Sequence, residues 1–138
     1  MSTKKPFEPS SPSQSRERKT IMVDYIALLK KEVCPAEGCT EPVAVAFAVS
    51  LAAEQLDAAP ASVNLKLSAN IIKNALGVGI PGTGMVGIEI AAALGAVVRQ
   101  SAKKLEVLQG FSAEQLDEAK AMVDAKIIHV EQKQTPEA

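Results

Sequence analysis

The sequence predicts an α+β fold, mostly helical, in which two buried Ala/Val-rich helices pack with a small sheet. Three observations predict it. Val43 to Ala53 and Met85 to Arg99 are apolar on nearly every side, the mark of helices enclosed by the protein or by a partner. Between them Val63, Leu65 and Leu67 alternate with Asn64, Lys66 and Ser68, the period of two that belongs to a half-buried strand. A weaker alternation around Ile127, Ile128 and Val130 follows the last helical stretch, and this order of elements suggests α+β with a small sheet.

Composition narrows the class further. The 138 residues suit one domain that buries roughly two-thirds of its unfolded surface. Hydrophobic residues make up 47% but aromatics only 3%, so the core is built from Ala, Val, Ile and Leu, and small side chains imply closely approaching helices. A net charge of −1 gives no electrostatic reason to expect nucleic acid or an anionic membrane as a partner. No stretch reaches the roughly 18 to 20 apolar residues of a membrane span. The N-terminal stretch lacks the apolar region of a secretory signal, so a cytoplasmic protein with reduced thiols is expected.

Residues 1–18, rich in Ser, Pro and charge, are expected to form a disordered tail, with a domain over residues 19–131 and a frayed tail over 132–138. An amphipathic helix is expected over Thr20 to Val33, stopped before Pro35, with Ile21, Met22, Tyr25, Ile26, Leu28 and Leu29 on its apolar side. Thr40 is expected to N-cap the second helix, which tolerates Pro42 in its first turn and runs to about Leu56. After a turn and the first strand, Asn70 to Leu76 reads as one or two helical turns. Gly77 to Gly84 is too dense in Gly and Pro for a regular element, and it opens the helix from Met85. Ser112 with Gln115 three positions on is a capping-box pattern for a helix to about Ala125, and Lys126 to Glu131 reads as a strand.

Two segments carry candidate chemistry. Cys39 lies between Gly38 and a helix start, where unpaired N–H groups and partial positive charge stabilise a thiolate. Its other reading is a packing residue, since free cysteine is among the most buried residue types. Asn70, Lys73 and Asn74 share one helical face at i, i+3 and i+4, where an ammonium and two amides suit an amino acid's carboxylate, or where they are solvated capping groups. Glu41 either pairs with Lys73, orients a substrate, or places negative charge at the helix start. Gly77 to Gly82 satisfies G-x-G-x-x-G, but neither a preceding strand nor a downstream strand-end acid supports a dinucleotide site; its amides suit a carboxylate instead. His129 is expected on the surface, and Glu89 is either buried and paired or turned to solvent. Two cysteines, Cys34 and Cys39, are weak evidence for a metal site, and no metal ligand is assigned.

Gly38-Cys39-Thr40-Glu41-Pro42, Asn70 with Lys73-Asn74, Pro81-Gly82-Thr83-Gly84 and Ala92-Ala93-Leu94-Gly95 resemble, in order, the N-terminal part of the L-cysteine desulfidase family, relatives of iron–sulfur L-serine dehydratase alpha chains. The likeness runs from about Ile21 to Val130. It implies β-elimination on L-cysteine, giving pyruvate, ammonia and hydrogen sulfide, or the parallel reaction on L-serine. The resemblance implies Cys39 as the catalytic base and a substrate pocket formed with Thr40, Glu41, Asn70, Lys73, Asn74, Pro81, Gly82 and Thr83. It also implies a 4Fe-4S cluster whose ligands lie in a later part of longer family members, while Cys34, where relatives more often carry an aliphatic residue, belongs to the core. With no cysteine beyond Cys34 and Cys39, the chain is expected to be inactive alone and to be completed by a second polypeptide or within a homo-oligomer. A noncatalytic amino-acid-binding or assembly module, or a degenerate remnant, is the alternative.

Overall fold

The computed structural model describes residues 23–33, 35–36 and 38–134, and it is an α+β protein, mostly helical with a small two-stranded parallel sheet. The expected tail over residues 1–18 and the start of the first expected helix lie outside the described residues, as does Cys34. The chain divides after Val33 into two units. In the first, helix α1 spans Tyr25–Glu32, and Asp24 caps it by accepting the N–H groups of Ile26 and Ala27 at 3.0 Å each.

In the second unit α2 spans Thr40–Ala53, strand β1 Val63–Leu67, α3 Ala69–Ala75, α4 Ile88–Val98, α5 Ala113–Asp124 and strand β2 Ile128–Gln132. Helix α4 is the centre of the packing. Ile90 to Ala96 are buried without a break, and Leu94 and Ile90 are fully enclosed among Val43 of α2, Val107, Leu108 and Ala119 of α5. Its other side meets Val45, Val49 and Ala53 of α2 and the inward residues Val63, Leu65, Ile128 and Val130 of the sheet. Small residues make this closeness possible. A Cβ placed on Gly95 would overlap the Ala46 carbonyl oxygen and lie 3.0 Å from the Ala46 Cα, so α2 and α4 touch backbone to backbone.

The C-terminal ends of α2 and α4 are fastened by polar groups. Buried Ser50 accepts the Gln100 N–H at 2.7 Å, and the Glu54 carboxylate accepts the Ser101 N–H and hydroxyl at 2.6 Å each. Arg99 closes α4 in a left-handed conformation and donates to the carbonyls of Leu56 at 3.1 Å and Ala58 at 2.6 Å. A short 3-10 stretch, Ser101–Glu106, then leads toward α5; no sequence period announces it. The capping box at Ser112 and Gln115 is present as expected.

Several boundaries differ from the sequence expectation, among them the start of α1, which is expected from Thr20 but is capped at Asp24. Cys39, not Thr40, takes the N-cap position of α2, and Thr40 is the first helical residue. That helix ends at Ala53 because Gln55 and Leu56 switch to bonds with Ala52 and Ala53, three residues back. Helix α4 starts at Ile88 because Met85 and Val86 belong to a hairpin: Ile80 donates to Met85, Gly87 donates to Val78, and Gly79 bridges Val86. Strand β2 pairs in parallel with β1, Val63 opposite Ile128 and Leu67 opposite Gln132, so its partner precedes it and the stretch expected to fray begins inside the sheet. Among the described residues no helix is long and apolar enough to cross a membrane.

The Gly95 contact yields a test. Gly95→Ala gains helix propensity but forces α4 away from Ala46, and we expect a net loss of about 3 kcal/mol in urea denaturation. A rise in stability, which propensity alone would give, contradicts the contact.

Candidate functional site

The start of α2 carries the site because its backbone leaves N–H groups unpaired there and the side chains of Cys39 and Thr40 are exposed, while Pro42 and Val43 anchor the turn in the core. Cys39 sits at the N-cap with extended backbone angles, is exposed, and makes no capping bond. Its thiol instead donates to Glu41 Oε2 at 3.1 Å, and Asn74 Nδ2, from the last turn of α3, donates to Glu41 Oε1 at 3.3 Å. Both carboxylate oxygens are therefore engaged. Segments 33 residues apart in sequence meet at this point.

The electrostatics differ from what the helix start alone predicts. The hydrogen bond from its own S–H to the Glu41 carboxylate holds the Cys39 thiol above its ordinary pKa, with partial desolvation and the carboxylate's charge adding to it. The backbone N–H groups of Glu41 and Thr40 act in the opposite direction, as expected, but are outweighed. Glu41 is lowered from the usual carboxylate range, chiefly by the Cys39 thiol, then by its own N–H, with the Asn74 amide adding to it. The resting site is a thiol beside a carboxylate, not a free thiolate.

A glycine hairpin flanks this pair. Gly38 takes a φ of 84°, and a Cβ on it would meet the Pro81 ring at 3.3 Å, which sets the Cys39 turn against the hairpin tip. Gly82, also left-handed, lies against Phe111 of the segment before α5, where an added Cβ would stand 3.1 Å from the ring. Pro81 and Gly82 are exposed. Thr83 is not: its hydroxyl, 5% exposed as a residue, donates to the Ile80 carbonyl at 2.7 Å and accepts the Met85 N–H at 2.9 Å. Thr83 shapes the hairpin, and its hydroxyl is turned to the hairpin's own backbone. The N–H groups of Ile80, Thr83, Met85 and Gly87 are likewise engaged within the loop, which leaves fewer donors for an anion than the glycine count suggests.

The remaining expected residues are placed as follows. Asn70, Lys73 and Asn74 are exposed on α3, which Ser68 caps by accepting the Ile71 N–H. Glu41 pairs with Cys39 and Asn74 rather than with Lys73, which has no ion-pair partner among the described residues. Thr40 is exposed in the first turn of α2. Glu89 and His129 are exposed. Sequence reasoning missed Phe111 as a wall beside the hairpin; only its position just before a capping box marks it.

An α+β domain with a thiol–carboxylate pair at a helix start is thus the class that fold and site define. The chain is similar to UPF0597 proteins: it is 58% identical over 114 residues to one from Clostridium perfringens, covering 83% of this chain and 27% of that protein. Against one from Porphyromonas gingivalis the identity is 60% over 109 residues, 79% of this chain and 25% of the relative. Against one from Bacteroides fragilis it is 52% over 118 residues, 86% and 27%. The chain spans about a quarter of the length of these relatives. No family model and no solved structure matches it.

The pair predicts a pH dependence. Only thiolate is alkylated, so iodoacetamide labelling of Cys39 rises through a midpoint above that of an ordinary thiol. Glu41→Gln removes the anion that opposes ionisation and moves that midpoint to lower pH. A midpoint that stays or climbs in Glu41→Gln contradicts the assignment.

Proposed function

We propose that this chain forms part of a lyase that performs β-elimination on L-cysteine or L-serine, with Cys39 as the group that exchanges a proton with the substrate. The observation that carries the reading is the exposed thiol fixed 3.1 Å from a carboxylate that a second helix holds in place. Proton transfer requires a donor and an acceptor already in line, and Cys39, Glu41 and Asn74 supply that geometry. Glu41 orients the S–H, and Asn74 orients Glu41. As a base, Cys39 must first lose its own proton. Elimination then releases sulfide or water, and the enamine hydrolyses to pyruvate and ammonia. The Lys73 ammonium with the Asn70 amide on the same helix suits the carboxylate of the amino acid.

The resemblance implies a 4Fe-4S cluster whose ligands lie outside this chain. Among the described residues no group of three or more His, Cys, Asp or Glu is placed to hold a metal ion, and the Cys39 sulfur is committed to Glu41. No step is therefore assigned to a cluster in this chain. The reading places it in the part of a longer protein that this chain does not span, supplied by a second polypeptide. A noncatalytic amino-acid-binding module is the second reading, favoured by Lys73, exposed on α3 beside Asn70 and with no ion-pair partner among the described residues.

The test combines this chain with the remaining portion of the Clostridium perfringens relative, reconstituted anaerobically with iron and sulfide, and measures pyruvate from each amino acid. We expect turnover that Cys39→Ala lowers by about 100-fold or more. The kcat/KM rises with pH through the raised pKa of the thiol, because the base must be deprotonated. Amino-acid binding without pyruvate supports the binding module instead, and full activity in Cys39→Ala removes Cys39 from the chemistry.

A further inference from the structure

The sheet has an open edge beside an apolar groove, away from the Cys39 pair. In the parallel ladder the N–H of Val63 donates to Ile127 and the carbonyl of Leu67 accepts from Lys133, so the odd residues of β1 bond to β2. The backbone groups of Asn64 and Lys66 therefore point to the other side, where no described strand lies. Next to that edge is a groove of about 330 Å³ between Ala48 and Ala52 of α2 and Leu56 just beyond its end, and Pro60, Val63 and Leu65 on the β1 side. Leu51 on the outer side of α2 and Leu56 just after the helix are 49% and 47% exposed, and the one charged residue within α2 is Glu41 in its first turn. A helix facing water carries polar residues on its outer side, and a two-stranded sheet is marginal by itself.

We propose that this edge and groove receive an extended strand from the part of the longer protein that the chain does not span, added alongside β1 with its apolar side chains in the groove. The relatives supply the argument for the occupant. The chain covers 27% of the Clostridium perfringens protein, leaving nearly three quarters of a similar polypeptide to be packed somewhere. Among the described residues, an unpaired strand edge and an exposed apolar helix face lie together on one side of the domain, and such packing is suited to cover both. Strand addition satisfies both at once, main-chain bonds giving affinity and alternate side chains giving fit. The proposal is independent of the chemistry at Cys39.

The experiment is amide hydrogen exchange on the full 138-residue chain, alone and with the remaining portion of the Clostridium perfringens relative. A stable complex is expected, with exchange at Asn64 and Lys66 slowed at least about tenfold. Asn64→Pro removes the outward N–H without touching a bond to β2, and Ala52→Glu puts a charge in the groove. Each is expected to weaken the complex at least about tenfold while the melting temperature of the chain alone stays unchanged. Absence of a complex, or a complex without protection at Asn64 and Lys66, overturns the proposal. Protection that appears in the chain alone as its concentration rises also overturns it, because the occupant is then a second copy. A complex that forms as expected but makes no pyruvate leaves this proposal standing and counts against the lyase.

Discussion

The backbone contact between α2 and α4 at Ala46 and Gly95 is the constraint on which the rest depends. With no room for a side chain at Gly95, the two helices are fixed along a buried run of Ala, Val, Ile and Leu, with Phe47 and Phe111 packed at its margin. Dense packing of small side chains depends on such approach, since a gap of even one methyl group forfeits contacts along the whole interface. The polar latches at Ser50, Glu54 and Arg99 then hold the C-terminal ends of the same helices together. Their opposite ends carry the turn with Cys39 and the glycine hairpin, which meet through Gly38 and Pro81. The site is an outcome of the helix contact.

At the site two effects compete over one thiol. A helix start lowers the energy of an anion, and the N–H groups of Thr40 and Glu41 do so for Cys39. Glu41 occupies the first turn of the same helix, draws on the same partial charge, and is the stronger acid, so it is the group that ionises. The thiol is left as its hydrogen-bond donor. This ordering suits a proton-transfer pair, with the sulfur kept protonated and aligned until another group relieves the carboxylate, and it argues against a simple nucleophile.

Much of the fold was legible in the sequence because it rests on local periodicity. The alternation of Val63, Leu65 and Leu67, the continuous apolar runs of α2 and α4, and the capping box at Ser112 each translate directly into an element. What was not legible depends on contacts between distant residues. Nothing local separates Thr40 from Cys39 as the N-cap residue, or shows that Met85 and Val86 close a hairpin instead of opening a helix. The same holds for the site. Cys39, Glu41 and Asn74 were all singled out by residue type, yet only folding shows that Asn74 reaches Glu41 while Lys73 does not. Thr83 shows the converse, a polar residue in a glycine loop whose hydroxyl is turned inward to its own backbone.

The central claim is that Cys39 and Glu41 act as one coupled pair. Carbon-13 NMR titration of the Cys39 Cβ and the Glu41 Cδ in the same sample tests it most directly. The account predicts that the Glu41 carbon titrates below the usual carboxylate range, that the Cys39 carbon shows a small step at that same pH, and that its main transition lies above that of an ordinary thiol. A Cys39 carbon already in its thiolate position at neutral pH, with no response to the titration of Glu41, would contradict it.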